Sequence, residues 1–287
     1  MPPIAVVLVL ASTFAHVAWN AIVKTSGDPL RTATRSVALG VAAAMPLAVA
    51  AWFATGQPGL PAEGWGLALL SSAVGVAYFV VLSAAYRRGP LSAVYPVARG
   101  TGAVAAALVG IIVLGERFSP AGLAGVALLL GGLLAVALPA VSRAAIVAAL
   151  AAGVCIAGYT AIDRLGVRTG PPWLYNMALW TMMAVGLALH SVRPLRRRST
   201  RPGGDPAASP GLARPLAAGL LMIGTYLLVL VALAIAPLAG VAPLREASSV
   251  LAAGWGVARL RERDGALARL GGATAIAAGA ALLALAG

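Results

Sequence analysis

The chain contains the segments PLSAVYPVAR at residues 90–99 and PLAGVAPLRE at residues 237–246. Four of the ten aligned positions are identical, including both prolines. A weaker correspondence lies upstream of each segment, where WNAIVK at residues 19–24 aligns with YTAIDR at residues 159–164. Because the two correspondences come in the same order in both halves of the chain, the sequence predicts an internal repeat.

The composition places this repeat in a membrane. Of the 287 residues, 61% are hydrophobic and 10% are charged, and the mean hydropathy is +0.93. Water-soluble domains carry about a quarter charged residues, so the soluble classes are excluded. A helix of roughly 20 apolar residues crosses the hydrocarbon core. We predict an all-α polytopic membrane protein with ten transmembrane helices, at residues 4–23, 32–54, 65–86, 93–114, 120–138, 144–162, 172–192, 215–236, 239–258 and 266–286.

The internal repeat divides these helices into two groups of five. We predict a first repeat at residues 1–140 and a second at residues 141–287, with a basic linker at residues 193–214 inside the second. Because five is an odd number, the second repeat must enter the membrane in the opposite direction. Such inverted repeats are typical of secondary transporters, which bind their substrate near the middle of the membrane, where the repeats meet.

The formal net charge of +13 is concentrated at the ends of the apolar runs. This distribution indicates contact with the lipid bilayer and predicts no nucleic-acid partner. Sixteen lysine and arginine residues lie on the connections after odd-numbered helices, and three lie on the other side. The positive-inside rule then places the odd-numbered connections in the cytoplasm and both termini outside.

Three charged residues lie deep inside predicted helices: Arg99, Arg245 and Glu246. A charge at the centre of a spanning helix costs about 2.5–3.5 kcal/mol on insertion scales, so each needs a partner or a function. The guanidinium geometry suits a carboxylate, phosphate or phosphonate, so Arg99 and Arg245 are candidate substrate-binding residues. Glu246 is a candidate coupling residue that either pairs with Arg99 or carries a proton. The alternative is a structural ion-pair cluster that holds the two repeats together.

Helix 1 carries a polar and aromatic stripe that we expect to face inward. In this stripe, Trp19 and Asn20 are candidate substrate-binding residues. His16 either couples proton movement to transport or makes a helix–helix hydrogen bond. Lys24 lies at the helix end, where it either contributes to the site or extends to the membrane interface.

Aromatic residues with a polar group are further candidates, because their rings pack while their polar ends form hydrogen bonds. We expect Tyr78, Tyr86, Tyr95, Tyr159, Trp180 and Tyr226 to line a cavity. Asp163 on helix 6 is a third candidate coupling residue, with a salt bridge to Lys24, Arg164 or Arg168 as the alternative. Trp52, Trp65 and Trp173 lie near helix ends and are predicted to belong to the interfacial belts.

The sequence has no motif for nucleotide binding, zinc-dependent hydrolysis or a nucleophile elbow. It has two histidines, one cysteine and eight acidic residues, too few to predict a metal site. We therefore expect no catalytic residues, metal or cofactor.

Three motifs together resemble the EamA-type branch of the drug/metabolite transporter superfamily: HxxWNxxxK at residues 16–24, YPxARG at residues 95–100 and LGERFSP at residues 114–120. Arg261-Glu262-Arg263 resembles a degraded second copy of the Gly-Glu-Arg turn. The resemblance implies a ten-helix secondary transporter with a central cavity, often an exporter of amino acids or other metabolites. It also implies cytoplasmic termini, which is opposite to the orientation that the arginine count predicts.

The leading functional hypothesis is secondary active transport of a small anionic or zwitterionic metabolite, such as an amino acid or a phosphonate, by alternating access. We expect coupling to protons or another ion, or exchange, in a bacterial cytoplasmic membrane, by a monomer or homodimer. Multidrug or lipophilic-cation export is the alternative, although helix 1 lacks the acidic residue of the small multidrug exporters. A membrane lipid-handling protein or enzyme is a third hypothesis.

Overall fold

The computed structural model describes residues 2–112, 119–137, 142–195, 211–236 and 238–286. Within these ranges the chain forms ten α-helices and no β-strand. The predicted Gly-Glu-Arg turn at residues 115–117 and most of the predicted basic linker lie outside the described residues. The helices are α1 (Pro3–Lys24), α2 (Pro29–Ala54), α3 (Ala62–Arg88), α4 (Leu91–Ile112), α5 (Pro120–Ala137), α6 (Arg143–Gly166), α7 (Pro172–Leu195), α8 (Ala213–Ile235), α9 (Leu238–Ala258) and α10 (Ala266–Ala286).

The helices form one bundle that crosses the membrane several times. Helices α1, α2, α3, α5, α6 and α8 are each long and apolar enough to cross a bilayer. The remaining four pack against them, and α4 and α9 carry the buried residues Arg99, Arg245 and Glu246. The prediction of an all-α polytopic membrane protein is confirmed.

Short polar side chains cap three of the helices. Asp28, Ser119 and Ser142 each accept hydrogen bonds from backbone N–H groups in the first turn of the following helix, at 3.1–3.2 Å. These amides have no partner within the helix, so the caps fix where α2, α5 and α6 begin. Proline occupies the first helical position after Asp28 and after Ser119, where its missing N–H has no consequence.

The pairs of packed helices recur when each helix number is shifted by five. The contact of α1 with α8 corresponds to that of α6 with α3. In the same way, the contact of α4 with α6 corresponds to that of α9 with α1, and the contact of α2 with α8 corresponds to that of α7 with α3. The contacts of α4 with α9 and of α5 with α10 each join two equivalent helices. Two five-helix repeats related by a two-fold axis would make this pattern. It supports the predicted division near residue 140, which stays a prediction.

Lys24 and Arg164 are aligned in the predicted repeat, and both side chains make the same kind of contact with the end of another helix. The Lys24 ammonium at the end of α1 donates to the carbonyl oxygens of Tyr86 and Gly89, both at 2.6 Å, at the end of α3. The Arg164 guanidinium on α6 donates to the carbonyl oxygen of Leu233 at the end of α8. A cation at these carbonyls is favourable because the C-terminus of a helix carries partial negative charge. Lys24 therefore holds the end of α3.

Helices α5 and α10 are packed with their backbones in direct contact. A Cβ atom added at Gly272 would lie 2.6 Å from the carbonyl oxygen of Gly132, and one added at Gly279 would lie 2.6 Å from that of Gly125. Small residues permit such close approach between helices in lipid. This pair forms a scaffold beside the rest of the bundle.

We expect Gly272→Ala to destabilise the protein by about 1–3 kcal/mol, because the added methyl group would overpack the contact between α5 and α10. The midpoint of thermal unfolding of detergent-purified protein measures this effect. Gly271→Ala is the matched control, because a Cβ atom there meets nothing within 4 Å. Equal stability of the two variants would contradict the backbone contact.

Candidate functional site

Helices α4 and α9 are joined by a buried ion pair. The Arg99 guanidinium donates from Nη2 to Glu246 Oε1 at 2.8 Å, and the two side chains are only 4% and 8% exposed. Burial strengthens the attraction between the charges, but the pair compensates only one guanidinium. It links the two predicted repeats across their contact.

Arg245 adds a second buried guanidinium beside this pair. Its side chain is buried, and no salt bridge to Arg245 occurs among the described residues. Three buried atoms of the cluster lack a hydrogen-bond partner within the described part of the chain: Arg99 Nε, Arg245 Nη2 and Glu246 Oε2. A buried polar atom left unpaired costs about 1–3 kcal/mol. The cluster therefore holds one excess positive charge and unused hydrogen-bonding capacity.

Both guanidinium groups border a small cavity that we call the basic chamber. Its empty volume is about 160 Å³, and its lining consists of Ser12, Thr13, His16, Arg99, Arg245 and Ser248. The lining contains hydroxyl groups, an imidazole and two positive charges, but no carboxylate. A chamber with this lining favours an anionic group.

A larger cavity, which we call the aromatic chamber, adjoins the basic chamber at His16. Its empty volume is about 430 Å³. Six of its lining residues are aromatic and one is acidic: Trp19, Tyr78, Phe79, Tyr159, Trp180, Tyr226 and Asp163. His16 belongs to both linings, so the two chambers lie next to each other.

Asp163 places a carboxylate in the wall of the aromatic chamber. Its Oδ1 accepts a hydrogen bond from the Tyr175 hydroxyl at 2.8 Å, and its Oδ2 accepts one from the Tyr226 hydroxyl. The alternative of a salt bridge to Lys24 or Arg164 is not observed, because both of these cations bind helix-end carbonyl groups. Two tyrosines therefore hold the carboxylate in the chamber.

Most of the predicted site residues line one of the two chambers: Arg99, Arg245, His16, Trp19, Tyr159, Trp180, Tyr226 and Asp163. Three others lie behind them and line neither chamber. Asn20 donates to the carbonyl of His16 at 2.8 Å and accepts from the Tyr86 hydroxyl at 2.6 Å, so both ends of its amide are occupied. The Tyr95 ring packs on His16 with centroids 6.0 Å apart, and Glu246 contacts Arg99.

Sequence reasoning did not assign several residues to this region, namely Phe79, Glu262, Ser12, Thr13 and Ser248. Phe79 contributes a ring to the aromatic chamber. The Glu262 carboxylate accepts hydrogen bonds from the backbone N–H groups of Leu91 at 2.8 Å and Ser92 at 2.9 Å, at the start of α4. A carboxylate at a helix N-terminus is favourable, and this one fixes the start of the helix that carries Arg99. Pro90 has no side-chain acceptor to cap α4, and Glu262 supplies one from a distant part of the chain.

The sequence model of the EamA-like transporter family matches residues 143–285, from α6 almost to the end of α10. The chain belongs to the EamA-like transporter family. The first half of this EamA-like protein is also similar to small multidrug resistance proteins, whose model matches residues 62–129. The suspected place in the drug/metabolite transporter superfamily is confirmed, and the chain is a membrane transporter.

A protein of known crystal structure has the same fold as this EamA-like transporter. The two are 20% identical, with a TM-score of 0.62 over 98% of this chain and 97% of the other. At this identity the likeness concerns the fold alone. A search of curated proteins gives no match.

We expect Glu246→Leu to destabilise the transporter by about 3–5 kcal/mol, because it leaves the Arg99 guanidinium buried without its counter-charge. The double variant Arg99→Met, Glu246→Leu should be more stable than Glu246→Leu alone, because both charges are removed together. Thermal unfolding of the wild type, both single variants and the double variant measures the coupling. Additive effects of the two substitutions would contradict the ion pair.

Proposed function

We propose that this protein is a secondary active transporter that moves a small zwitterionic or anionic metabolite across a bacterial cytoplasmic membrane by alternating access. The observation that carries the proposal is the excess buried guanidinium that lines the basic chamber. The family membership supports transport, and the two chambers support the choice of solute.

The basic chamber supports recognition of a carboxylate or phosphonate group. A single negative charge would neutralise the excess positive charge of the cluster formed by Arg99, Arg245 and Glu246. Arg99 Nε and Arg245 Nη2 would then gain acceptors that the described part of the chain does not provide. Hydrogen bonds between guanidinium and carboxylate groups are short and about twice as strong as neutral ones. Arg245 is the principal anion-binding residue in this proposal, because Arg99 already holds Glu246.

The aromatic chamber supports a zwitterion over a simple anion. Its wall carries the negative charge of Asp163, so the two adjoining chambers have opposite electrostatic character. An amino-acid-like solute would place its carboxylate in the basic chamber and its ammonium group in the aromatic chamber. Charges of opposite sign at the two ends fix the orientation of such a solute.

The location of the titratable residues supports coupling to proton movement. His16 lies where the chambers meet, with its ring 4.8 Å from that of Trp19, and Asp163 lies in the wall of the larger chamber. Ionisable groups inside a membrane bundle frequently form proton relays. A proton on Asp163 would weaken the attraction for an ammonium group, so protonation and solute binding would oppose each other, as exchange requires. Glu246 is the remaining candidate for coupling.

A second candidate function is export of lipophilic cations. Asp163 among aromatic rings favours it, as does the similarity to small multidrug resistance proteins. Helix α6 corresponds to α1 in the predicted repeat, so Asp163 supplies the acidic residue that α1 lacks. The adjoining pair of guanidinium groups disfavours a ligand that carries only positive charge.

Flux into proteoliposomes tests the proposal, with radiolabelled glycine, aspartate, aminomethylphosphonate and tetraphenylphosphonium as solutes. We expect Arg245→Gln to reduce zwitterion or anion flux at low solute concentration about 10- to 100-fold, from the loss of a charged hydrogen bond. Because Arg245 makes no salt bridge among the described residues, its removal breaks no buried ion pair there.

Arg168→Gln is the control, since Arg168 is exposed between α6 and α7. It should transport like the wild type. Normal flux through Arg245→Gln would contradict the role of the basic chamber. Flux of tetraphenylphosphonium alone, unaffected by Arg245→Gln, would establish cation export instead.

A further inference from the structure

Five aromatic side chains in the aromatic chamber form a closed ring. The order around the ring is Phe79, Tyr78, Tyr159, Tyr226, Trp180 and back to Phe79. The distances between consecutive ring centroids, in that order, are 5.3, 5.7, 5.9, 6.2 and 6.3 Å. Each contact is tilted or edge-to-face, and all five side chains are buried. The rings come from α3, α6, α7 and α8, so four helices must pack together to form this cage.

Such a cage is suited to an alkylated ammonium group. The faces of aromatic rings carry negative electrostatic potential and attract cations within about 6 Å, and several rings around one site recognise quaternary ammonium groups. A methylated ammonium group spreads its charge over its methyl surface and needs no hydrogen-bond acceptor. A primary ammonium group has three N–H donors, each of which needs an acceptor when it is buried.

Two polar groups beside the cage, Asp163 and Asn176, already accept hydrogen bonds. The two oxygens of Asp163 accept hydrogen bonds from Tyr175 and Tyr226, and Asn176 Oδ1 accepts one from Trp180 Nε1 at 3.1 Å. Asp163 therefore adds negative charge to the wall beside the cage. Its hydrogen bond with the Tyr226 hydroxyl also increases the electron density of that ring.

The cage is connected to the anion-binding residues. The chamber that contains the cage shares His16 with the basic chamber, which is lined by Arg245. We propose, resting on the proposed function, that the substrate class is an N-methylated zwitterion. Its alkylated ammonium group occupies the ring of Tyr78, Phe79, Tyr159, Trp180 and Tyr226, and its carboxylate contacts Arg245.

Four small probes separate the contributions to binding. Glycine betaine has a trimethylammonium group and a carboxylate; glycine has a primary ammonium group; choline lacks the carboxylate; and 3,3-dimethylbutanoate has the shape and carboxylate of betaine without the positive charge. Calorimetric titration of purified wild-type protein should give about tenfold or greater preference for betaine over each of the other three.

Trp180→Leu tests the cage itself. It should weaken betaine binding about tenfold and leave glycine binding nearly unchanged, because only the methylated group depends on the ring faces. Trp180→Phe should restore part of the betaine affinity. Trp173→Leu is the control, because Trp173 lines a groove between α2, α3 and α7 and neither chamber.

The outcomes distinguish this inference from the proposed function. Equal affinities for glycine and betaine, both lost in Arg245→Gln, would overturn the cage and leave zwitterion transport standing. Equal affinities for betaine and 3,3-dimethylbutanoate would also overturn it, since the cage would then be only an apolar pocket. Binding of choline alone, with no zwitterion or anion bound, would overturn both.

Discussion

The structure depends on the burial of three charges where α4 crosses α9. Each charge in a spanning helix costs about 2.5–3.5 kcal/mol, and hydrocarbon offers no compensation. Arg99 and Glu246 compensate each other at 2.8 Å, so the two helices must stay in register for the ion pair to persist. Glu262 fixes the start of α4 through its first backbone N–H groups, and Lys24 fixes the end of α3 just before it. The surrounding helices therefore hold Arg99 in place.

The predicted repeat gives this ion pair a physical origin. Arg99 and Glu246 occupy the same position in the two aligned segments, and α4 and α9 are equivalent helices that contact each other. Equivalent residues on such helices approach each other near a two-fold axis. Identical charges there would repel, whereas opposite charges attract. Arg245 has no charged equivalent, since Ala98 occupies its aligned position, and it therefore supplies the asymmetric charge that an anionic ligand would neutralise.

The sequence predicted the helices and the charged cluster because both leave local signals. Apolar runs broken by proline or glycine define the ten helices. A charged residue inside such a run, such as Arg99, is predicted to be buried. The partner of a polar side chain leaves no such signal. Asn20 has the spacing of a cavity residue, but the hydroxyl of Tyr86, from another helix, occupies its carbonyl oxygen. Phe79 was missed because a phenylalanine in a spanning helix gives the same sequence pattern whether its ring faces lipid or a chamber.

The central claim is that the guanidinium of Arg245 binds the carboxylate of the solute. Solid-state NMR tests it directly, by measuring dipolar coupling between a ¹³C-labelled solute carboxylate and ¹⁵N-labelled guanidinium nitrogens in reconstituted protein. The account predicts a coupling strong enough for direct hydrogen bonding, which disappears in Arg245→Gln. A bound and transported solute whose carboxylate shows no coupling to any guanidinium nitrogen would contradict it.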